Sequence, residues 1–270
     1  MRKFSLSYLT APVQSPLEAI VIGEGAGYDH LGLRLHDPQT GEAASPLVGN
    51  RALLTQACRL LADTGLTVLE VEAWALIAGR GHKHADAVFE AAATLGSPRL
   101  SVVADRAGRI ELAEICDQFA GLAEAAARYG LCVDFEPIAH RAAGNLSNAL
   151  AVVNAGRDWG AGLTLDMLHI DRMGLTLDQL RSIDRHILHT IHLCDAPPAS
   201  DDLETMIDQS ARTRLVPGEG ALPLREYLAA LPDNLPLALE IPMERLGGEL
   251  SPEDRARWAI RASRAFLQIG

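Results

Sequence analysis

The feature that most constrains the fold of this chain is a regular alternation of short apolar strands with amphipathic helices along its 270 residues. Eight apolar, often β-branched stretches are typical of buried strands: 4–9, 30–35, 67–72, 99–103, 131–136, 163–169, 188–195 and 237–240. Segments with helical spacing follow each of them: 16 to near 27, 50–64, 84–95, 110–129, 147–155, 176–183, 222–231 and from 251 onward. Several of these helices stop at a glycine, as 50–64 does at Gly65.

Strict alternation predicts parallel strands joined by crossover helices. Eight such units in a chain of this length predict an α/β fold, a single-domain (β/α)8 TIM barrel over residues 1–270. No linker divides the chain into two domains. An open doubly wound sheet is the alternative, but it brings the tips of strands five to eight around one point less readily. In a barrel, the active site is expected at the carboxyl ends of the strands.

Composition excludes several classes of function. The chain is 48% hydrophobic, enough for a large core, and its net charge of −11 argues against a nucleic-acid or membrane surface. No apolar run is long enough to span a bilayer, and the first residues lack the apolar region of a signal peptide. The scattered cysteines are typical of reduced, buried thiols. We therefore expect a cytoplasmic protein that binds neither nucleic acid nor a membrane. The charge does not indicate the substrate, which the site residues below predict to be a small molecule, and composition leaves a homo-oligomer open.

Polar residues stand at or near the ends of the last four predicted strands: Glu136, Asp166, His192 and Glu240. Each residue alone says little, because a histidine in an apolar strand is usually a core residue and a strand-end glutamate is usually solvated. Their joint occurrence at successive strand tips predicts a site for one divalent cation. A mainly oxygen-donor set with one imidazole suits Mn²⁺ or Mg²⁺, and Co²⁺ or Zn²⁺ less selectively.

The order of motifs along the second half of the chain adds a resemblance. A strand-end glutamate precedes Asp-x-x-His, His-x-x-Asp, Gly-Glu-Gly and a final strand-end glutamate: Glu136, Asp166 with His169, His192 with Asp195, Gly218–Glu219–Gly220, and Glu240. This order resembles the sugar phosphate isomerase/epimerase superfamily of xylose isomerase-like TIM barrels, and the resemblance covers almost the whole chain. The superfamily includes ketose 3-epimerases, hydroxypyruvate isomerase, inosose and 3-dehydroshikimate dehydratases, and apurinic endonucleases.

The resemblance implies roles for individual residues. The two glutamates, Glu136 and Glu240, would ligate the metal and act as acid/base groups on either side of the substrate, and His169 would hold a substrate oxygen. General chemistry agrees, because a cation that binds a carbonyl and an adjacent hydroxyl stabilises an enediolate, and a carboxylate can take or return the α-proton. Glu219 either touches the site or belongs to a simple turn before a helix.

Two departures from the superfamily pattern narrow the function. The Asp-x-His pair that endonucleases carry before the glycine turn is replaced by Arg212 and Arg214, which cannot ligate metal, so a three-zinc nuclease is not expected. These arginines either bind a substrate phosphate or carboxylate bidentately or are solvated and neutralised by nearby acids of the loop after strand seven. Residues 196–199 lack the arginine usual in ketose epimerases, which argues against a free ketose as substrate.

Other candidates line the expected pocket less clearly. Of the two acids of strand three, Glu72 stands nearer the tip than Glu70 and is the predicted substrate contact. His140 follows strand five closely enough to reach the substrate. His82 and His84 resemble a metal pair, but they begin a predicted helix and are expected to be solvated.

The leading hypothesis from the sequence is a divalent-metal isomerase or epimerase that acts on a small polyhydroxy carbonyl compound. A dehydratase, in which the same enediolate expels a β-hydroxyl, is the alternative enzyme. A barrel that binds a ligand without turnover is the third possibility, and the presence of both Glu136 and Glu240 speaks against it.

Overall fold

A computed structural model describes residues 2–83, 85–106 and 108–268, except for the side chains of 246–248. The strands form a closed barrel in sequential order, and every neighbouring pair is parallel. They are β1 Phe4–Leu6, β2 His30–Arg34, β3 Thr67–Leu76, β4 Arg99–Ala104, β5 Cys132–Glu136, β6 Gly162–Asp166, β7 Leu188–Leu193 and β8 Leu237–Leu239. The predicted single-domain TIM barrel is confirmed, and the open sheet is excluded because β1 pairs with β8.

Helices connect the strands and cover the barrel. They are α1 Pro16–Ala26, α2 Arg51–Thr64, α3 Ala85–Thr94, α4 Leu112–Ala127, α5 Leu146–Ala155, α6 Met167–Arg172, α7 Leu177–Ser182, α8 Leu203–Ala211, α9 Leu224–Ala230 and α10 Pro252–Leu267. No helix in the described ranges is long and apolar enough to cross a membrane.

Local capping explains where the predicted helices begin and end. The side chain of Asn50 accepts a hydrogen bond from the amide of Leu53 at the start of α2, and Gly65 ends this helix with a φ of 73°. Ser251 caps α10 in the same way by accepting from the amide of Asp254. The predicted start of the third helix, His84, lies outside the described residues, and α3 is described from Ala85.

Two helices, α6 and α8, were not predicted, so the expectation of eight helices was wrong for the described part of the chain. The residues of α6 from Met167 to Ile170 are all buried, so the helix has no polar face and shows no amphipathic period. α8 lies within the segment that was predicted to be a long loop after strand seven. Its start carries a recognisable signal, since Asp202 accepts a hydrogen bond from the amide of Thr205.

The core fills the barrel and the layer between strands and helices. At the amino-terminal end of the barrel, the buried carboxylate of Asp134 accepts hydrogen bonds from Arg99 at 3.3 Å and binds Nδ1 of His189 at 2.7 Å. Polar groups at this end of a TIM barrel serve stability, whereas the carboxyl end carries the chemistry.

Candidate active site

Strand register brings the predicted metal ligands together at the carboxyl end of the barrel. Asp166 of β6 lies beside His192 of β7 in register, and Glu136 ends β5. Glu240 directly follows β8. One ligand atom from each of these residues lies within 4.8 Å of the others, and all four residues are buried. The structure therefore places the four predicted ligands in one cluster.

His192 is held with one ring nitrogen free for a cation. Its Nε2 lies 3.0 Å from Oε1 of the buried Glu70, whereas its Nδ1 has no hydrogen-bond partner and lies 3.5 Å from Glu136 and 3.6 Å from Glu240. Burial lowers the pKa of His192, but the surrounding carboxylates Glu240, Glu70 and Glu136 outweigh this effect and raise it well above its usual value. A buried nitrogen without a partner, aimed at carboxylates, fits a divalent metal ion.

Glu70 is a buried partner of the cluster that the sequence interpretation ranked behind Glu72. A carboxylate on the far side of a metal-binding histidine fixes the orientation of the ring and its tautomer. The nitrogen that faces the carboxylate carries the proton, and the other nitrogen is left to bind the metal. Glu70 and Glu72 share one face of β3 because they are two residues apart, and both side chains are buried. The spacing of two residues was therefore the sequence signal that could have predicted Glu70 as a second acid inside the barrel.

Asp166 combines two tasks, which explains the Asp-x-x-His spacing. Its Oδ1 accepts hydrogen bonds from the amides of Leu168 at 2.8 Å and His169 at 3.2 Å, so Asp166 is the N-cap of α6. His169 is thereby placed in the first turn of the helix. Burial is the main cause that raises the pKa of Asp166 to about 6. Arg214 opposes this shift and Glu240 adds to it.

Arg214 is bound to the carboxylate cluster itself. Its Nη1 lies 2.5 Å from Oδ2 of Asp166 and 2.8 Å from Oε2 of Glu240, and its Nε donates to the carbonyl of Ser210. Burial alone would raise the pKa of Glu240, but Arg214 and His192 lower it well below its usual range. Arg214 is thus neither solvated nor neutralised by the acids of its own loop, and its predicted contact with substrate stays a prediction.

A cavity of about 400 Å³ opens above the cluster. Its lining includes Glu136, His192 and Glu240 from the cluster, together with Glu72, His169 and Arg214. Further arginines complete the wall: Arg34, Arg106, Arg141 and Arg212. The cavity is large enough for a small molecule and exposes both carboxylates and guanidinium groups to it.

Two of the predicted substrate contacts are buried side chains that line this cavity. Glu72 accepts hydrogen bonds from the hydroxyl of Ser7 at 3.1 Å and the amide of Tyr8 at 3.2 Å. Burial, and then the charge of Glu70, raises the pKa of Glu72 to about 8. The Nε2 atom of His169 lies 3.3 Å from the hydroxyl of Ser210, and its Nδ1 has no partner.

The other predicted substrate contacts lie farther out. Arg212 is exposed at the cavity rim, with its Nε 3.9 Å from a carboxylate oxygen of Asp208. The rings of His140 and His169 lie 6.0 Å apart, but His140 is outside the described lining of the cavity. His82, half of the rejected metal pair, is exposed, and its companion His84 lies outside the described residues.

The Gly-Glu-Gly turn has a structural explanation. Oδ2 of Asp195 accepts from the amide of Gly218 at 3.0 Å and its Oδ1 accepts from Leu222 at 3.1 Å. A Cβ atom on Gly220 would lie 2.2 Å from Oδ1 of Asp195, so only glycine fits there. Glu219 is exposed and lies outside the cavity lining, as expected for a turn before a helix.

Comparison with known proteins agrees with the fold. The family model of the xylose isomerase-like TIM barrel matches residues 24–266, and the chain belongs to this family. No curated protein sequence matches the chain.

Several solved structures share the architecture. They include the IolI protein with a bound zinc atom, at a TM-score of 0.78 and 19% identity, with 98% of each chain covered. The probable 3-DHS dehydratase AsbF of Bacillus anthracis has a TM-score of 0.70 and 14% identity over 96% of this chain and 97% of its own. A D-psicose 3-epimerase from Clostridium cellulolyticum H10, solved with D-tagatose, has a TM-score of 0.69 and 16% identity over 98% and 99%. At such identities the similarity concerns the fold.

Proposed function

We propose that the chain is a divalent-metal-dependent isomerase or epimerase of a small sugar, sugar phosphate or related hydroxy-carbonyl compound. The observation that carries this proposal is the buried cluster of Glu136, Asp166, His192 and Glu240 at the base of a substrate-sized cavity. Three carboxylates and one imidazole suit Mn²⁺ or Mg²⁺, and the zinc atom in the IolI structure makes Zn²⁺ a reasonable alternative.

The cluster would hold one ion through a carboxylate oxygen of each acid and Nδ1 of His192. A bound divalent ion supplies the positive charge that stabilises an enediolate. Glu136 and Glu240 both line the cavity, so one can remove the α-proton while the other returns it. The low pKa of Glu240 keeps this group ionised at neutral pH, as a ligand of a cation must be.

Two neighbouring groups would hold the substrate in place. His169 is neutral, because burial and then Arg214 lower its pKa well below its usual value, and its free Nδ1 can hydrogen-bond a hydroxyl. Glu72, with a pKa of about 8, is protonated at neutral pH and can donate its proton to a substrate oxygen. The proposal also includes two outer substrate contacts that the sequence predicts: Arg212 at the rim of the cavity and His140 beside His169.

Substitution of the two glutamates tests the proposal. Glu136→Gln and Glu240→Gln should each abolish turnover while the fold is kept, because an amide accepts no proton and is a poorer ligand. In the wild type, deuterium at the substrate α-carbon should exchange with solvent, which proton NMR measures directly. Glu124→Gln, an exposed acid on α4, serves as the matched control. A label that stays fully in place would favour a hydride shift, and no turnover on any hydroxy-carbonyl substrate would favour a binding barrel.

A dehydratase is the second candidate, and one observation favours it. Glu72 is a carboxyl group that remains protonated near neutral pH beside the cavity, and such an acid can protonate a leaving β-hydroxyl. The structural similarity to AsbF agrees with this candidate in fold. Product analysis by NMR separates the two reactions, because a dehydratase yields an unsaturated carbonyl product and an isomerase keeps every hydroxyl.

A further inference from the structure

Three arginines line the cavity without an acidic partner. Arg34, Arg106 and Arg141 form no salt bridge within the described part of the chain, whereas Arg214 is paired with Asp166 and Glu240. The lining outside the metal cluster therefore carries an excess of positive charge. A cavity wall of one sign concentrates ligands of the opposite sign.

Arg141 is the arginine best prepared to bind an anion. Its Nη1 donates to the carbonyl of Ala104 at 3.0 Å, which fixes one end of the guanidinium group. Its Nε is buried and has no hydrogen-bond partner. The edge formed by Nε and Nη2 is thus left for a ligand, and this edge matches the two oxygens of a carboxylate or phosphate.

The surroundings of Arg141 make it unfavourable for this cation to stay without a hydrogen-bonded anion. Burial lowers the pKa of Arg141 and the charge of Arg106 lowers it further, while the charges of Glu136, Asp105 and Glu240 oppose this without cancelling it. A largely buried cation beside a like charge is unfavourable unless an anion approaches it. Arg106 itself is exposed at the cavity, so solvent screens its charge and its side chain can reorient toward a bound anion.

Arg34 adds a second prepared cation at the end of β2. Its guanidinium carbon lies 4.6 Å from the centre of the Tyr8 ring, which holds the group by stacking, and its Nε has no partner. The acids that line the cavity outside the cluster are Glu72, which is protonated near neutral pH, and the exposed Glu244. They do not neutralise three arginines.

We propose that the substrate carries a carboxylate or phosphate group and that Arg141 binds this group through Nε and Nη2, with Arg34 and Arg106 adding positive charge. The inference rests on the proposed function, which places the hydroxy-carbonyl end of the same substrate at the metal cluster. It moves the anion contact away from Arg214, whose guanidinium is already bound to carboxylates.

The test uses probes that differ only at the end remote from the metal. A four-carbon hydroxamate mimics an enediolate, and it can end in a hydroxyl, a carboxylate or a phosphate. Isothermal titration calorimetry with the Mn²⁺-loaded protein should show the two anionic probes binding about 10- to 100-fold more tightly than the neutral one. The stronger of the two identifies the anion as carboxylate or phosphate.

Variants assign the effect to Arg141. Arg141→Met should remove most of the preference for anionic probes while the neutral probe binds as before, and Arg141→Lys should restore part of it because lysine keeps the charge without the fork. Arg128→Met, exposed directly after the end of α4, is the matched control and should leave the affinities for all three probes unchanged. Circular dichroism checks that each variant is folded, and Arg141→Lys carries the test if the methionine variant is not.

The outcomes separate the two proposals. Equal binding of all three hydroxamates, or a preference that survives in Arg141→Met, overturns the anion site and leaves the proposed function intact. If no hydroxamate binds, the proposed function fails, and titration with inorganic phosphate then decides the anion site alone. Phosphate binding that weakens at least tenfold in Arg141→Met supports the site, and binding that is absent or unchanged by the substitution refutes it.

Discussion

Replacement of Arg214 by methionine should weaken the metal-free protein and tighten its hold on a divalent ion. Arg214→Met removes a buried cation that contacts both Asp166 and Glu240, at 2.5 and 2.8 Å. Loss of one partner from a buried ion pair costs on the order of 3–5 kcal/mol. A divalent ion at the cluster restores the missing positive charge, so the loss should shrink in the metal-loaded protein.

The difference between the two losses equals the change in metal-binding free energy. If the ion recovers about 2 kcal/mol of the cost, the variant should bind it roughly 30-fold more tightly than the wild type. Urea unfolding with a chelator and with excess Mn²⁺ gives the two stabilities, and calorimetric titration of Mn²⁺ gives the affinity independently.

Two further variants control this experiment. Arg214→Lys keeps the charge and should lie between the wild type and Arg214→Met in both measurements. Arg212→Met removes the neighbouring exposed arginine, which is 3.9 Å from Asp208, and should leave the stability unchanged within about 0.5 kcal/mol. The reasoning is refuted if metal-free Arg214→Met is as stable as the wild type, or if it binds Mn²⁺ more weakly.

Three other predictions concern the acids around the cluster. Glu70→Leu should weaken Mn²⁺ binding by about 10- to 100-fold in a calorimetric titration, because His192 loses the carboxylate that orients it. Metal binding must displace the proton of His192, whose pKa lies well above its usual value, so the metal affinity should already fall as the pH drops through neutrality. Asp166, with a pKa of about 6 in the metal-free protein, should add a further loss of roughly tenfold per unit below about pH 6, and a pH-independent affinity would contradict this. Glu72 has a pKa of about 8 in the folded protein, above its usual value of 4.5, so the stability of the fold should decrease as the pH rises from about 4.5 to about 8, whereas Glu72→Gln should show no such loss in urea unfolding at pH 6 and 9.

The barrel could be predicted because the pattern that specifies it is local. Strand and helix periods are properties of a few consecutive residues, and strict alternation leaves parallel strands as the consistent arrangement. Of the two helices that were missed, α6 lacks that local signal. Residues 167–170 of α6 are buried on every side, so no polar face marks the helix.

The clustering of the four candidate ligands could be predicted for a related reason. The carboxyl ends of neighbouring parallel strands meet at one end of a barrel, so polar residues at those ends converge whatever lies between them. This argument needs strand order alone, which the sequence implies. It places Glu136, Asp166, His192 and Glu240 together without any knowledge of side-chain packing.

The partners of these ligands were decided by tertiary structure alone. Glu70 meets His192 across the barrel although 122 positions separate them along the chain, and nothing near either residue in the sequence indicates the contact. Arg214 reaches Asp166 because its segment pairs with the chain after β8, where its amide donates to the carbonyl of Pro242. Sequence pattern therefore determined which strand ends carry the clustered acids and histidine. Three-dimensional packing decided which charges compensate one another, since that depends on distances between segments remote in sequence.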